Sequence, residues 1–123
     1  MNLTATVLSV VLAVGFLGSG AIKLIGNKTS LEMRDRVNVG AQLWRVIGAL
    51  EVAGAVGLLV GLAVPALGIA AAVGLSLLLI GAVGAHLRAN DARNAPPAVL
   101  LLLLAVALVV IRFLALAHPA GPA

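Results

Sequence analysis

The chain has 123 residues, 63% of them hydrophobic and 10% charged, with a formal net charge of +4. A soluble domain of this length has too small an interior to hide so much Leu, Val and Ala, so the composition excludes an ordinary globular fold. Cysteine is absent, which excludes disulfide relays, iron–sulfur clusters and thiolate nucleophiles. The eight basic residues sit around apolar runs as membrane topology signals rather than as a nucleic-acid footprint.

The first apolar stretch, residues 3–25, is interrupted only by small or hydroxyl residues such as Thr4, Thr6, Ser9 and Ser19. No Lys or Arg precedes it, and it outlasts a signal-peptide core, so it reads as a retained span. Gly15, Gly18 and Gly20 on its second half are expected to pack closely on a neighbour. Lys23 at its end can snorkel to the interface or turn inward toward an acid. Residues 27–43 form the one long polar segment, with Lys28, Glu32, Arg34, Asp35 and Arg36. The segment reads as a short interfacial helix or re-entrant lid, capped by Thr29 or Ser30, with its charges in solvent. Trp44, the sole Trp, marks the interface where the second span begins.

That second span, about residues 44–63, is the one the rest is organised around, because it carries a single acid, Glu51. A carboxyl group at such a depth costs about 2.5–3.5 kcal/mol on insertion scales. Nothing within the helix repays this, so a partner helix, a proton or a ligand must do so. Gly48, Gly54, Gly57 and Gly61 flatten the same helix for close neighbours. Val64-Pro65 makes a tight turn into the third span, about 66–87, which forces an antiparallel hairpin. Gly74, Gly81 and Gly84 are expected to add small contacts along it. This span ends in His86-Leu87-Arg88, and Pro96-Pro97 opens a fourth at about 97–117, where proline loses no helical hydrogen bond. Arg112 in that span is expected to snorkel outward. No structure is expected from His118 onward.

The chain therefore predicts an all-α fold, an integral membrane four-helix bundle in which residues 1–123 form one membrane domain. The first and third links hold the basic residues, which places them in the cytoplasm and both termini outside the inner (plasma) membrane. Glu51 then lies about 10 Å in from Trp44, on the cytoplasmic half. Lys23, Arg45, His86 and Arg88 all belong to helix ends on that side. Lys23 and His86, on other helices, are the expected partners of Glu51, and the plain alternative is an ion pair that fixes packing. His86 and His118 fall at opposite faces and cannot share a haem iron, and no cluster offers enough ligands for a metal.

Three segments carry a resemblance. They are Gly20-Ala21-Ile22-Lys23-Leu24, Glu51-Val52-Ala53-Gly54-Ala55-Val56-Gly57-Leu58-Leu59, and Gly81-Ala82-Val83-Gly84-Ala85-His86-Leu87-Arg88. In this order and spacing the chain resembles the DoxX and DoxX-like membrane proteins over roughly residues 5 to 115. The resemblance implies a small four-helix inner-membrane protein. Relatives include a subunit associated with a thiosulfate:quinone oxidoreductase, partners in membrane oxidative-stress complexes, and assembly chaperones. This chain lacks the cysteines that some members carry.

The expected function is binding of a quinone or other lipophilic small molecule in a polar intramembrane pocket, for redox or acid–base chemistry. Glu51, His86 and Lys23 are the candidate catalytic residues, with Arg45, Trp44 and Arg88 as candidate ligand contacts. No metal and no covalently bound cofactor are expected, and a quinone is the candidate carrier. Besides the lipid bilayer, the expected partners are a membrane protein or flavoprotein, or a second copy of the chain. The alternatives are a non-catalytic membrane subunit or assembly chaperone, and a non-redox isomerase or hydrolase acting on a hydrophobic molecule.

Overall fold

In the computed structural model, which describes residues 3–26, 28–36 and 39–117, the described regular elements are all helical. They are α1 (Leu3–Ile25), α2 (Lys28–Arg36), α3 (Ala41–Val60), α4 (Pro65–Arg88) and α5 (Pro96–Ala117), with a 3-10 turn at Ala92–Asn94 before α5. Four of these, α1, α3, α4 and α5, are long and apolar enough to cross a membrane. Short links join α3 to α4 and α4 to α5, and α2 lies in the longer link from α1 to α3. The ring is closed in the order α1, α3, α4, α5, with the α1–α5 seam the slightest of the four. The protein is an all-α, multi-pass membrane helical bundle.

Small residues take a large share of the interior. Ala5, Ala13, Ala55, Ala72 and Ala105 are buried, joined by Leu12, Phe16, Leu58 and Leu108. Val14, Leu77, Leu103 and Phe113 face outward. In lipid no hydrophobic force draws large side chains inward, so small residues gain the interface by letting backbones approach. Ser9 and Ser76 are buried by donating to the carbonyls of Ala5 and Ala72, each at 2.7 Å. That back-bonding satisfies a hydroxyl inside an apolar bundle.

Local chemistry sets the helix ends. Gly26, at φ +74°, ends α1 in the left-handed conformation, its N–H on the carbonyl of Ile22 at 2.9 Å. Asn90 does the same after α4 at φ +57°. Pro65 and Pro96 each occupy the first position of a helix. Helix α3 begins at Ala41 rather than Trp44, because the extended Gly40 ends the polar link and lets the helix start earlier. Trp44, in the first turn of this helix, is buried against the protein, 6% exposed. Helix α2 starts at Lys28, so Thr29 and Ser30 lie within its first turn and do not cap it, while His118 and the tail lie outside the described residues.

Only some of the glycines do what their type suggests. A Cβ on Gly20 would lie 2.6 Å from the carbonyl oxygen of Gly48, and one on Gly48 would lie 2.8 Å from Lys23 Cβ. Gly54 and Gly57 similarly admit Leu75 and Ala71 of α4. By contrast, Gly15, Gly18, Gly74, Gly81 and Gly84 meet nothing within 4 Å and are not interface glycines. Period decides between them: only glycines on the inward stripe of their helix are crossed by a neighbour. Arg112 also departs from expectation. It shares the buried stripe of Ala105 and Leu108 on α5, so it turns into the bundle, 5% exposed, with Nη2 3.5 Å from Ser9 Oγ.

Gly20→Val or Gly48→Leu should therefore cost about 1–3 kcal/mol by overpacking the α1–α3 crossing. Gly84→Leu should be near neutral. Thermal aggregation of the three variants in one detergent separates them, and equal midpoints would mean the crossing tolerates a side chain.

Candidate functional site

The site grows out of the crossing of α1 and α3. Gly20 and Gly48 remove the side chains that would hold these backbones apart, and Lys23 and Glu51 each stand one helical turn beyond. The close approach thus delivers the lysine and the acid to each other. Lys23 Nζ lies 2.7 Å from Glu51 Oε1, with both side chains less than a tenth exposed. The same ammonium donates to Ser19 Oγ at 2.6 Å, one turn back on α1. It also sits over the ring of Trp44, 4.9 Å from the centroid. Out of water a cation over an indole face is worth about 2 kcal/mol.

Trp44 links this pair to the polar segment. Its indole N–H donates to Ser30 Oγ at 2.9 Å, and Ser30 is fully buried. Helix α2 is thereby pinned over the end of the bundle, with Glu32 and Arg36 on its exposed side. Glu51 Oε1 is close to Nζ but outside hydrogen-bonding angles, so this buried oxygen has a charge partner without a directional donor. Distance and angle answer different questions here, and both hold. The atom is electrostatically paired and still able to accept one hydrogen bond.

His86 takes another partner. Its Nδ1 is 2.9 Å from Asp91 Oδ2, the proton necessarily on nitrogen, while Asp91 Oδ1 accepts from Asn94 at 2.6 Å. Arg36 approaches the same carboxylate at 3.9 Å. Asn94's hydrogen bond, with smaller help from His86 and Arg36, holds the Asp91 carboxyl below its usual range against the opposing effect of burial. His86 thus organises the link after α4 and has no contact with Glu51 among the described residues. Arg45 and Arg88 are exposed. Lys23, Glu51 and Trp44 are brought together; His86, Arg45 and Arg88 are not. Ser19 and Ser30 join the site unannounced. Helical spacing from Lys23 points to Ser19, whereas only the folding back of α2 supplies Ser30.

An open apolar groove of about 680 Å³ runs between α3 and α4, lined by Leu50, Gly54 and Gly57 on one side and Ala71, Gly74 and Leu75 on the other. It lies round α3 from Glu51, not at it. Among the described residues no group of acids and histidines could hold a metal ion.

Fold and site together define a small multi-pass membrane protein with an ion pair buried near one end of a four-helix bundle. The chain belongs to the DoxX-like family, whose model matches residues 7–108. Neither the curated proteins nor the solved structures gave a match.

Removing one partner of a buried pair leaves the other charge unpaired, at a cost of about 3–5 kcal/mol, while replacing both by apolar groups is often neutral. Lys23→Met and Glu51→Leu should each lower the thermal midpoint in detergent, and the double variant should recover most of the loss. If the two losses simply add, the ion pair does not couple α1 to α3.

Proposed function

We propose that the protein binds the polar head group of a quinone-type lipophile at the Lys23–Glu51 pair beneath α2 and exchanges protons with it. The observation that supports this most is Glu51 Oε1, a buried carboxylate oxygen with no directional donor. Such an atom is an acceptor in want of a hydroxyl, and Lys23 beside it is a donor for a carbonyl. A carbonyl–hydroxyl carrier therefore fits the donor set. A quinone, when bound, supplies the two-electron couple, and electrons come from a partner flavoprotein.

The chain's own residues then divide the work. Lys23 donates to a head-group oxygen and stabilises negative charge there, in a medium where such contacts are strong. Glu51 accepts a proton from a hydroxyl and returns it. Ser19 and the Trp44 ring hold the ammonium in place, and α2 screens the pair from water. A benzoquinone with a short alkyl tail, offered to the detergent-extracted protein, should be retained in native mass spectrometry. Glu51→Gln and Lys23→Gln should each retain it roughly tenfold less, the worth of one charged hydrogen bond. Full retention by a folded Glu51→Gln protein would end this reading.

A second reading, a non-catalytic subunit clasped by the same pair, is favoured by the ammonium's three neighbours, Ser19, Glu51 and Trp44. Under it Glu51→Gln keeps partner binding.

The links bearing Arg36 and Asp91 meet at one end of the bundle. Their basic residues support a cytoplasmic position for that end, in the inner membrane with the termini outside. Cysteines placed at Arg34 and Arg93 should react with an impermeant maleimide only in opened cells; labelling of intact cells would reverse the orientation.

A further inference from the structure

The bundle buries a second charge toward its other end, and among the described residues no acid pairs with it. Arg112 is 5% exposed, and its Nε is buried without a hydrogen-bond partner. Among the described residues its side chain makes one hydrogen bond, the long 3.5 Å approach of Nη2 to Ser9 Oγ. The Ser9 hydroxyl already donates to the carbonyl of Ala5, so it can only accept from the guanidinium and offers no negative charge. A guanidinium cannot shed its proton and carries five N–H donors, of which the buried Nε has no partner here.

The sequence contains four acids, and all lie toward the opposite end. Glu32 and Asp35 are on α2, Asp91 is in the link before α5, and Glu51 is paired to Lys23. Ser9 and Lys23 mark the two ends along α1, about 21 Å apart at ~1.5 Å per residue. No side-chain carboxylate of this chain therefore reaches Arg112. The long stem of an arginine permits snorkelling to the near surface, only about 7–8 Å away at the end of α5. It turns instead into the seam between α1 and α5, the slightest of the four helix contacts.

We infer that Arg112, with Ser9 as its orienting acceptor, forms an oxyanion site that takes a phosphate group entering between α1 and α5. The planar fork of the guanidinium matches two phosphate oxygens, and the depth suits the head group of an anionic lipid whose chains stay in the bilayer. This site is separate from the Lys23–Glu51 pair and does not depend on the reading given to that pair.

The test uses the full chain, extracted in detergent and exchanged into mixed phosphatidylglycerol and phosphatidylcholine before native mass spectrometry. Wild-type protein should retain phosphatidylglycerol over phosphatidylcholine. Arg112→Gln should retain at least about tenfold less, Arg112→Lys an intermediate amount, and Arg93→Gln at an exposed position as much as wild type. Adding inorganic phosphate separates the sources: loss of the retained lipid shows that the site also takes the free ion, while persistence shows that it needs the lipid. Equal retention by wild type and Arg112→Gln, both helical by circular dichroism, overturns the proposal. So does an Arg112-dependent dimer without lipid, which would place a second copy's carboxylate in the seam. Should Arg112→Gln fail to fold, a photoactivatable phosphatidylglycerol on the wild-type protein decides the matter. Cross-links on the peptides bearing Ser9 and Arg112 support the site, and cross-links elsewhere alone refute it.

Discussion

Everything at the polar end rests on one close approach, the crossing of α1 and α3 at Gly20 and Gly48. Backbone stands almost against backbone there, with no room for a Cβ on either side. Because Lys23 and Glu51 follow those glycines at the same one-turn interval, the crossing and the ion pair are one device. The glycines set the distance, and the charges set the register. Neither would suffice in lipid. Small residues alone give attraction without direction, and a buried ion pair alone has to overcome the loss of hydration. Ser19 and the Trp44 ring supply the additional contacts that such a pair requires.

Polar groups are sorted along the bundle axis into layers. At one end lie Lys23, Glu51, Trp44 and Ser30, with the His86–Asp91–Asn94 cluster in the neighbouring link. The middle is apolar, filled by Leu12, Phe16, Leu58 and Leu75, with Ser76 closed on its own helix. Toward the other end stand Ser9 and Arg112. Helix α1 contributes to every layer, so it is the element on which both charged positions are registered.

Much of this was legible in the sequence, for definite reasons. Span lengths follow from the run of apolar residues, and Pro65 and Pro96 mark helix starts whatever surrounds them. The meeting of Lys23 with Glu51 was foreseeable because an acid inside a span needs a partner on another helix. The position of His86 was not. Helix-end arithmetic puts it on the same half of the bundle as Glu51, but it says nothing about azimuth, and Asp91 lies a short turn away. Arg112 shows the converse error, since depth alone suggests snorkelling while its place on the Ala105 and Leu108 stripe directs it inward. Glycine counts mislead in the same way. Gly81 and Gly84 look like Gly54 and Gly57 in sequence, and only the second pair faces another helix.

The chain has one tryptophan and no tyrosine. That tryptophan lies under the lysine ammonium, bonded to the helix that covers the site. The near-ultraviolet emission of the whole molecule therefore arises from a single indole, whose colour and intensity depend on the charge above it and the hydroxyl beside it. Any event that lifts α2, shifts Lys23 or brings an absorbing ring near the pair is written into that one signal, with no background from elsewhere in the fold.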